Sequence, residues 1–211
     1  MKWRFIPIAV LFGLAAWQIG SGLYIPAKAL LAQLLLHDAW RQTLAGVEQA
    51  KPWPWADTWP VARLRAPEHG VDLMVLAGAS GASLAFGPGH LLGTPAPGHP
   101  GNSVIGGHRD TSLSFLRHVK TGDLFVLELP DGSTQTYKVT GSATADARRP
   151  WPSPDVSHPM LTLVTCYPFD AITPGGPLRY LVFAEATDTG NPASGQPYSA
   201  HGYNPRGSTN R

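Results

Sequence analysis

The stretch Leu161-Thr162-Leu163-Val164-Thr165-Cys166 ends on the only cysteine of the 211-residue chain. Leucine, valine and threonine suit extended backbone, so this segment predicts a β-strand. Tyr167-Pro168 follows at once, and proline cannot continue a central strand. The thiol therefore stands at the end of a strand, where a fixed backbone can aim it. A lone cysteine is most often a small buried hydrophobe, so the residues that accompany it must decide whether it is a nucleophile.

Two further segments favour the nucleophile. His108, in Gly106-Gly107-His108-Arg109-Asp110, ends a predicted strand, and Arg179 stands near the start of the last predicted strand. Histidine supplies general acid–base catalysis, and arginine donates hydrogen bonds to a developing oxyanion. Arg109 is a less suitable candidate for that second role, because alternation along a strand directs it away from His108. A thiol, an imidazole and a guanidinium together suit acyl transfer through a covalent intermediate.

The three segments resemble the sortase family of cysteine transpeptidases, in a class D-like form of proteobacterial type. Thr162-Leu163-Val164-Thr165-Cys166 matches the TLxTC pattern, His108 stands in a GHR context, and Arg179 lies on the strand after the cysteine. The intervals are 58 positions from the histidine to the cysteine and 13 from the cysteine to the arginine. The resemblance covers roughly residues 59–186. It implies that His108, Cys166 and Arg179 are catalytic.

What the resemblance implies for function is cleavage of an LPxTG-like sorting signal between Thr and Gly. The acyl group is held as a thioester on Cys166 and then passed to an amine of the cell envelope or of another protein. The expected partners are therefore substrate proteins with a C-terminal LPxTG-like signal and an amine acceptor. Thr165 is expected to contact substrate carbonyls. No cofactor is implied, and no residue is assigned as a metal ligand.

Short strands and frequent turns predict an all-β domain. The predicted strands are Val61–Arg65, Val71–Leu76, Ser103–His108, Asp123–Leu129, Thr134–Thr140, Met160–Thr165 and Leu178–Glu185. Short helical turns are expected at Ser83–Phe86, capped by Ser80 or Ser83, and at Ser112–Val119. The segments 87–101 and 147–159 are predicted loops because they are rich in proline. Periodicity does not choose between a sandwich and a barrel, whereas the resemblance implies an eight-stranded β-barrel.

The beginning of the chain predicts a membrane anchor. Phe5 to Ala27 is a run of 23 residues without a charge, long enough to span a bilayer as a transmembrane helix. Lys2 and Arg4 before it favour a cytoplasmic N-terminus. We therefore expect a single-pass signal-anchor over residues 1–28 in the inner cell membrane, with the catalytic domain outside the cytoplasm. A cleaved signal peptide with Ala27-Lys28-Ala29 at its cleavage site is the alternative.

The remaining boundaries follow composition. Residues 29–58 predict a helical stalk, Ala29–Gln49, with Leu30, Leu31, Leu34 and Leu35 on one apolar face. A linker rich in proline and tryptophan follows, which docks on the domain or touches lipid headgroups, with docking favoured. Residues 59–187 form the expected catalytic domain. Residues 188–211 are rich in Gly, Ser, Asn and Pro and predict a disordered tail.

Several classes of function are disfavoured. The net charge is only +2 and no basic stripe is present, so nucleic acid is not a predicted partner. One cysteine excludes an internal disulfide and a cysteine-rich zinc site. A papain-like protease has its cysteine before its histidine, and an L,D-transpeptidase resembles SxGCxR, where this chain has Pro168 in place of the arginine. An L,D-transpeptidase-like or other cysteine peptidase and a non-enzymatic membrane-tethered β-domain remain the alternatives.

Overall fold

Eight β-strands close into a barrel in the order β1-β2-β3-β4-β7-β8-β6-β5 in the computed structural model, which describes residues 6–149, 157–173 and 175–187. The strands are β1 (Pro60–Ala66), β2 (Val71–Ala77), β3 (Gly89–His90), β4 (Gly101–Gly107), β5 (Leu124–Glu128), β6 (Thr134–Asp146), β7 (Pro159–Cys166) and β8 (Leu178–Ala186). The prediction of an eight-stranded all-β barrel is confirmed.

The inside of the barrel is filled by side chains that alternate along the strands. In β1 every second residue is buried, from Pro60 to Ala66. The largest fully buried side chains include Phe125, Leu127 and Tyr137. The Tyr137 hydroxyl accepts a hydrogen bond of 3.2 Å from the Gly98 amide, and burial raises its pKa to about 12. Alternation of this kind keeps one face of each strand for the core and the other face for different contacts.

Two strands differ from the prediction. β3 lies inside the segment 87–101, which the sequence predicts as a loop. It has only two residues, too few for a hydrophobic pattern, and it depends on Gly89, whose Cβ would stand 2.1 Å from the Gly78 carbonyl oxygen. β6 runs six residues beyond its predicted end at Thr140, because after an irregularity between Val139 and Gly141 it continues to pair with β8.

The helix α1 (Ile6–Leu44) is one continuous element, whereas the sequence predicts a membrane span followed by a stalk helix that reaches Gln49. The helix ends earlier, just before Gly46, which adopts a φ of +91°. Its C-terminal part is not a free stalk. Leu36 and Trp40 are buried and pack with Met74 and Leu76 of β2.

The buried face of α1 also differs from the expected one. The buried residues are Ala32, Leu36, Ala39 and Trp40, which recur at helical spacing. Leu30, Leu31 and Leu34, which the sequence places on the apolar face, are exposed. These three leucines therefore point away from the barrel, whereas Ala32 and Ala39 share the buried face with the larger Leu36 and Trp40.

Among the described residues, no helix combines the length and the apolar character needed to cross a membrane. The predicted signal-anchor also includes residues 1–5, which lie outside the described part of the chain, as does the predicted tail at 188–211. The middle of the predicted loop at 147–159 lies outside it as well.

The linker before the barrel and the short helices agree largely with prediction. Trp53 docks on Phe86 with ring centroids 5.0 Å apart, whereas Trp55 is exposed. Ser80 caps the helix α2 (Gly81–Leu84) by accepting a hydrogen bond from the Ser83 amide. The predicted turns at 112–119 are a 3₁₀ helix, Ser114–His118. Docking of the linker on the domain is thus confirmed for Trp53.

His90 makes the stability of the barrel depend on pH. It is buried in β3, and its Nε2 donates a hydrogen bond of 2.9 Å to the Pro95 carbonyl. Burial lowers the pKa of His90 below its ordinary value. In the unfolded chain this histidine takes up its proton near pH 6.5, whereas the folded protein resists protonation until a lower pH. Stability contributed by neutral His90 is therefore present above about pH 6.5 and is lost as the pH falls toward the folded pKa.

We expect His90→Gln to weaken the dependence of stability on pH between about 7.5 and 5, because glutamine donates to Pro95 without titrating. Urea unfolding at several pH values measures this. The difference in slope between the two proteins isolates His90, since all other titratable groups are shared. Identical slopes would contradict a role for His90 in the acid sensitivity of the fold.

Candidate active site

The parallel pairing of β4 with β7 brings the predicted histidine and cysteine together. The register runs from Gly101 opposite Pro159 to Gly107 opposite Thr165. His108 follows Gly107 and Cys166 follows Thr165, so the two residues lie at the same end of two adjacent strands. Neighbouring strands lie about 4.8 Å apart. The interval of 58 positions between the two residues in the sequence is thus closed by one strand pairing.

Arg179 joins the pair from the other side. β8 runs antiparallel to β7, and Cys166 lies directly opposite Arg179 in the register. Directly opposed residues present their side chains on the same face of the sheet. Both residues are partly exposed, and His108 is exposed. The strand order β4-β7-β8 therefore carries the imidazole, the thiol and the guanidinium side by side.

This group lies on the outer face of the barrel. Leu161 and Leu163 of β7 belong to the interior core, so Val164 and Cys166 face outward by alternation. Beneath the cysteine a small apolar cluster packs on the outer face, formed by Val104, Val164 and Leu181 and bordered by Leu91, Ala145 and Phe183. The reactive side chains thus rest on a packed apolar floor rather than on a flexible loop.

Two side-chain hydrogen bonds tie β4 to β7. The Thr162 hydroxyl donates to Asn102 Oδ1 at 2.8 Å, and both side chains are buried. The Thr165 hydroxyl donates to the Gly107 carbonyl at 2.8 Å, one residue before His108 and Cys166 on their strands. The sequence predicts a substrate contact for Thr165, but this residue is only 2% exposed and its hydroxyl proton is donated to the Gly107 carbonyl. In this structure Thr165 connects the two strand ends.

The structure leaves no room for a side chain at Gly107. A Cβ at this position would stand 2.7 Å from Leu113 Cγ and 2.8 Å from the Ser112 hydroxyl. Any side chain would push the strand end away from the segment that follows it. The glycine before His108 therefore leaves the space that the side chains of Ser112 and Leu113 occupy.

The polar groups of the site are partly engaged. Arg179 Nη1 donates to the carbonyls of Gly176 at 2.6 Å and Leu178 at 2.9 Å. A guanidinium has five N–H donors, so further donors remain for a ligand beside Cys166. Among the described residues the His108 imidazole has no hydrogen-bond partner, and Asp110 does not orient it. A histidine placed in this way is accessible for proton exchange with a substrate.

Several contacts around the site were not predicted from the sequence. Arg109 donates to carbonyls of the loop after Cys166, and Arg117 stands over the Phe169 ring, 5.2 Å from its centroid. Tyr167, Phe169 and Tyr180 form an aromatic group with centroid separations from 5.3 to 6.2 Å. The aromatic residues that stand on both sides of the loop in the sequence could have indicated this aromatic group. Nothing in the sequence indicates which carbonyls Arg109 contacts.

One group with metal-ligand chemistry occurs elsewhere in the described residues. The ligand atoms of Glu68, His69 and Asp123 lie within 4.8 Å of one another. These atoms make contacts within the fold: His69 Nε2 and Asp123 Oδ2 are 2.8 Å apart, and the Glu68 carboxylate accepts a hydrogen bond from the Leu124 amide. The group ties the 3₁₀ helix Pro67–His69 to the start of β5, and we assign no metal to it.

The arrangement is suited to acyl transfer. A thiolate at the position of Cys166 can attack a carbonyl carbon, a guanidinium at the position of Arg179 can donate to the oxyanion that forms, and an imidazole such as that of His108 can exchange protons with the groups that leave and enter. The three side chains come from three adjacent strands, so their relative positions are set by backbone pairing.

Comparison with known proteins agrees with this geometry. The family model of the Sortase domain matches residues 64–187. Sortase D of Bacillus subtilis (strain 168) is 28% identical over 124 residues, which span 58% of this chain and 61% of that relative. Sortase A from Corynebacterium diphtheriae has a similar structure, with a TM-score of 0.57 at 28% identity over 69% of this chain and 68% of that one.

Sortase A of Listeria monocytogenes is also similar, with a TM-score of 0.53 at 26% identity over 61% of this chain and 88% of that one. The match to Sortase D agrees with the class D-like resemblance of the motifs. The L,D-transpeptidase-like and papain-like alternatives are not favoured by any of these similarities. The chain belongs to the sortase family.

Proposed function

We propose that this protein is a membrane-anchored cysteine transpeptidase that cleaves an LPxTG-like sorting signal between Thr and Gly. The observation that carries the proposal is the register at the strand ends, with Gly107 opposite Thr165 and Cys166 opposite Arg179. It brings a nucleophile, a proton carrier and an oxyanion donor to one edge of the barrel. The proposed partners are a substrate protein with a C-terminal sorting signal and an amine of the cell envelope or of another protein.

The reaction has two halves. Cys166 Sγ attacks the threonine carbonyl, the C–N bond to glycine breaks, and His108 gives a proton to the departing amine. The product is a thioester on Cys166. An incoming amine then attacks the thioester carbonyl and loses a proton to His108, and the thiolate leaves. Arg179 stabilises the oxyanion in both halves, and it keeps its charge in a site from which water is partly excluded.

Membrane attachment belongs to the same proposal. The run from Phe5 to Ala27 carries no charge, and Leu11, Phe12, Leu14 and Trp17 of α1 are exposed apolar side chains. Large apolar groups left in water are costly, so a bilayer is a suitable surrounding for them. The chain after this run would then lie outside the cytoplasm, in keeping with Lys2 and Arg4 on the cytoplasmic side.

Mass spectrometry of the protein with an LPxTG-like peptide tests the nucleophile. We expect an acyl adduct on Cys166 and no adduct in Cys166→Ala, because no other cysteine is present. Cys166→Ser should retain very little activity, since a hydroxyl ionises far less readily than a thiol. An adduct on a different residue would overturn the assignment.

The roles of His108 and Arg179 are separated by the leaving group. Arg179→Ala should lower kcat by roughly 10²–10³, the loss usual for one oxyanion donor, and Arg179→Lys should restore only part of it. His108→Ala should be at least as damaging on an amide peptide. A thioester substrate needs little protonation of its leaving group, so it should rescue His108→Ala and not Arg179→Ala. Equal rescue of both would show that the roles are assigned wrongly.

Thr165→Val keeps the shape of the side chain and removes the bond to Gly107. We expect a loss of about 1–2 kcal/mol in the free energy of unfolding, with a lower kcat and a KM close to that of the wild type. Thr165→Ser, which keeps the donor, should restore stability. A raised KM with unchanged stability would favour the substrate contact that the sequence predicts over a structural tie between β4 and β7.

Deletion of residues 1–27 tests the anchor and leaves the buried face of α1, from Ala32 to Trp40, intact. We expect the full chain to stay with the membrane fraction after a carbonate wash and the shortened chain to be released. A reporter fused after Arg211 that requires export should be active on the full chain only. Intact mass of the membrane-bound chain distinguishes a retained anchor from cleavage near Ala27. A full chain found in the soluble fraction would contradict the anchor.

A further inference from the structure

Arg109 fastens the loop between β7 and β8 to the strand end that carries His108. Its Nη1 donates to the Pro168 carbonyl at 3.0 Å, and its Nη2 donates to the Ala171 carbonyl at 2.6 Å and, at a longer 3.5 Å, to that of Thr173. We propose that Arg109 is a positioning residue, which holds His108 in place for proton transfer by anchoring its backbone to this loop. The inference rests on the proposed function for its consequence in catalysis.

The loop has few other means of keeping its place. Asp170, Ile172 and Thr173 are exposed, and Ile172 is 100% exposed. Within the described loop the Ala171 amide makes only a long bond of 3.4 Å to the Pro168 carbonyl. The aromatic rings of Tyr167 and Phe169 pack at the start of the loop, but beyond them the side chains face solvent. The Arg109 guanidinium therefore supplies the principal side-chain contact for this part of the backbone.

Arg109 acts on the reaction through its neighbour and not by touching substrate. Arg109 lies in the turn that follows β4, and its guanidinium is directed to the carbonyls of Pro168 and Ala171. Its guanidinium reaches the loop that begins one residue after Cys166. The dipeptide His108-Arg109 thus carries both the imidazole and a hydrogen-bonded link to the loop after Cys166.

Arginine is suited to this task and lysine is not. Two separate carbonyls, from Pro168 and Ala171, are met by the two terminal nitrogens of one planar group. The planar fork of a guanidinium is fixed, and it keeps its charge under all ordinary conditions. A lysine ammonium is a single point on a flexible stem, so it reaches one carbonyl and leaves the other without its donor.

The first test measures the loop itself, with no substrate present. In the full chain purified in mild detergent, ¹⁵N relaxation gives the order of the amides at 170–173. We expect order parameters near ~0.85 in the wild type and below ~0.6 in Arg109→Gln. Arg41→Gln is the matched control, because it removes an exposed guanidinium that contacts Asp38 on α1, far along the chain from the loop. Its loop should behave as in the wild type.

The second test is a double-mutant cycle on acylation of Cys166 by an amide peptide, followed by single-turnover mass spectrometry. Arg109→Gln should slow acylation by roughly 10–100-fold, the scale of a small misplacement of a catalytic group, with KM changed less than about threefold. Arg109→Lys should recover little of this. In a His108→Ala background the same substitution should change the rate by less than about threefold, because its effect acts through the imidazole.

The outcomes separate the proposals. Unchanged order parameters in Arg109→Gln, or a wild-type rate of acylation, would overturn the positioning role. An equal loss with and without His108, together with a lower melting temperature, would also overturn it, since that pattern describes general destabilisation. If the wild-type chain forms no adduct at Cys166, the proposed function fails, while the relaxation measurement still decides whether Arg109 holds the loop.

Discussion

The parallel pairing of β4 with β7 is the constraint on which the rest of the site depends. Parallel neighbours cannot be joined by a tight turn, so a long crossover must separate them in the chain. Here that crossover contains β5 and β6, and it takes the chain around the barrel before β7 returns beside β4. Residues far apart in the sequence therefore become neighbours at one edge. The buried bonds Thr162–Asn102 and Thr165–Gly107 fix the register, and a shift by one residue would turn Cys166 toward the core.

Because side chains alternate along the strands, the inner and the outer face of the sheet carry different sets of residues. The inner side chains of β4, β7 and β8, such as Ile105, Leu163 and Val182, fill the barrel. The outer ones carry the small cluster of Val104, Val164 and Leu181 and, beyond it, the reactive groups. Stability and chemistry are thus placed on opposite sides of the same backbone. Packed strands hold the thiol and the guanidinium opposite each other without any need for a loop to close.

Most strands and the three candidate site residues were predictable, because local patterns in the sequence indicate them. Strand-forming residues bounded by turn residues predicted most strands, and His108, Cys166 and Arg179 were singled out by their chemistry together with the resemblance to the sortase family. β3 was not predictable, since two residues carry no period and its existence depends on Gly89 having no side chain. The buried face of α1 was assigned wrongly, because Leu30, Leu31 and Leu34 outweigh Ala32 and Ala39 in any hydrophobic count. The face that packs on the barrel is selected by the shape of the partner surface, which the sequence of the helix does not contain.

Arg109 shows the same limit at the active site. Its acceptors are main-chain carbonyls, and every residue has one, so no pattern of side chains marks them in the sequence. Only the fold reveals that the loop after Cys166 returns past the end of β4 and presents carbonyls at the spacing of a guanidinium. The far end of the same loop is held by Arg179, which donates to Gly176 and Leu178. Arg109, in the turn after β4, and Arg179, on β8, thus hold the loop at both ends. A displacement at either end must therefore reach the strand that carries the thiol or the residue that carries the imidazole.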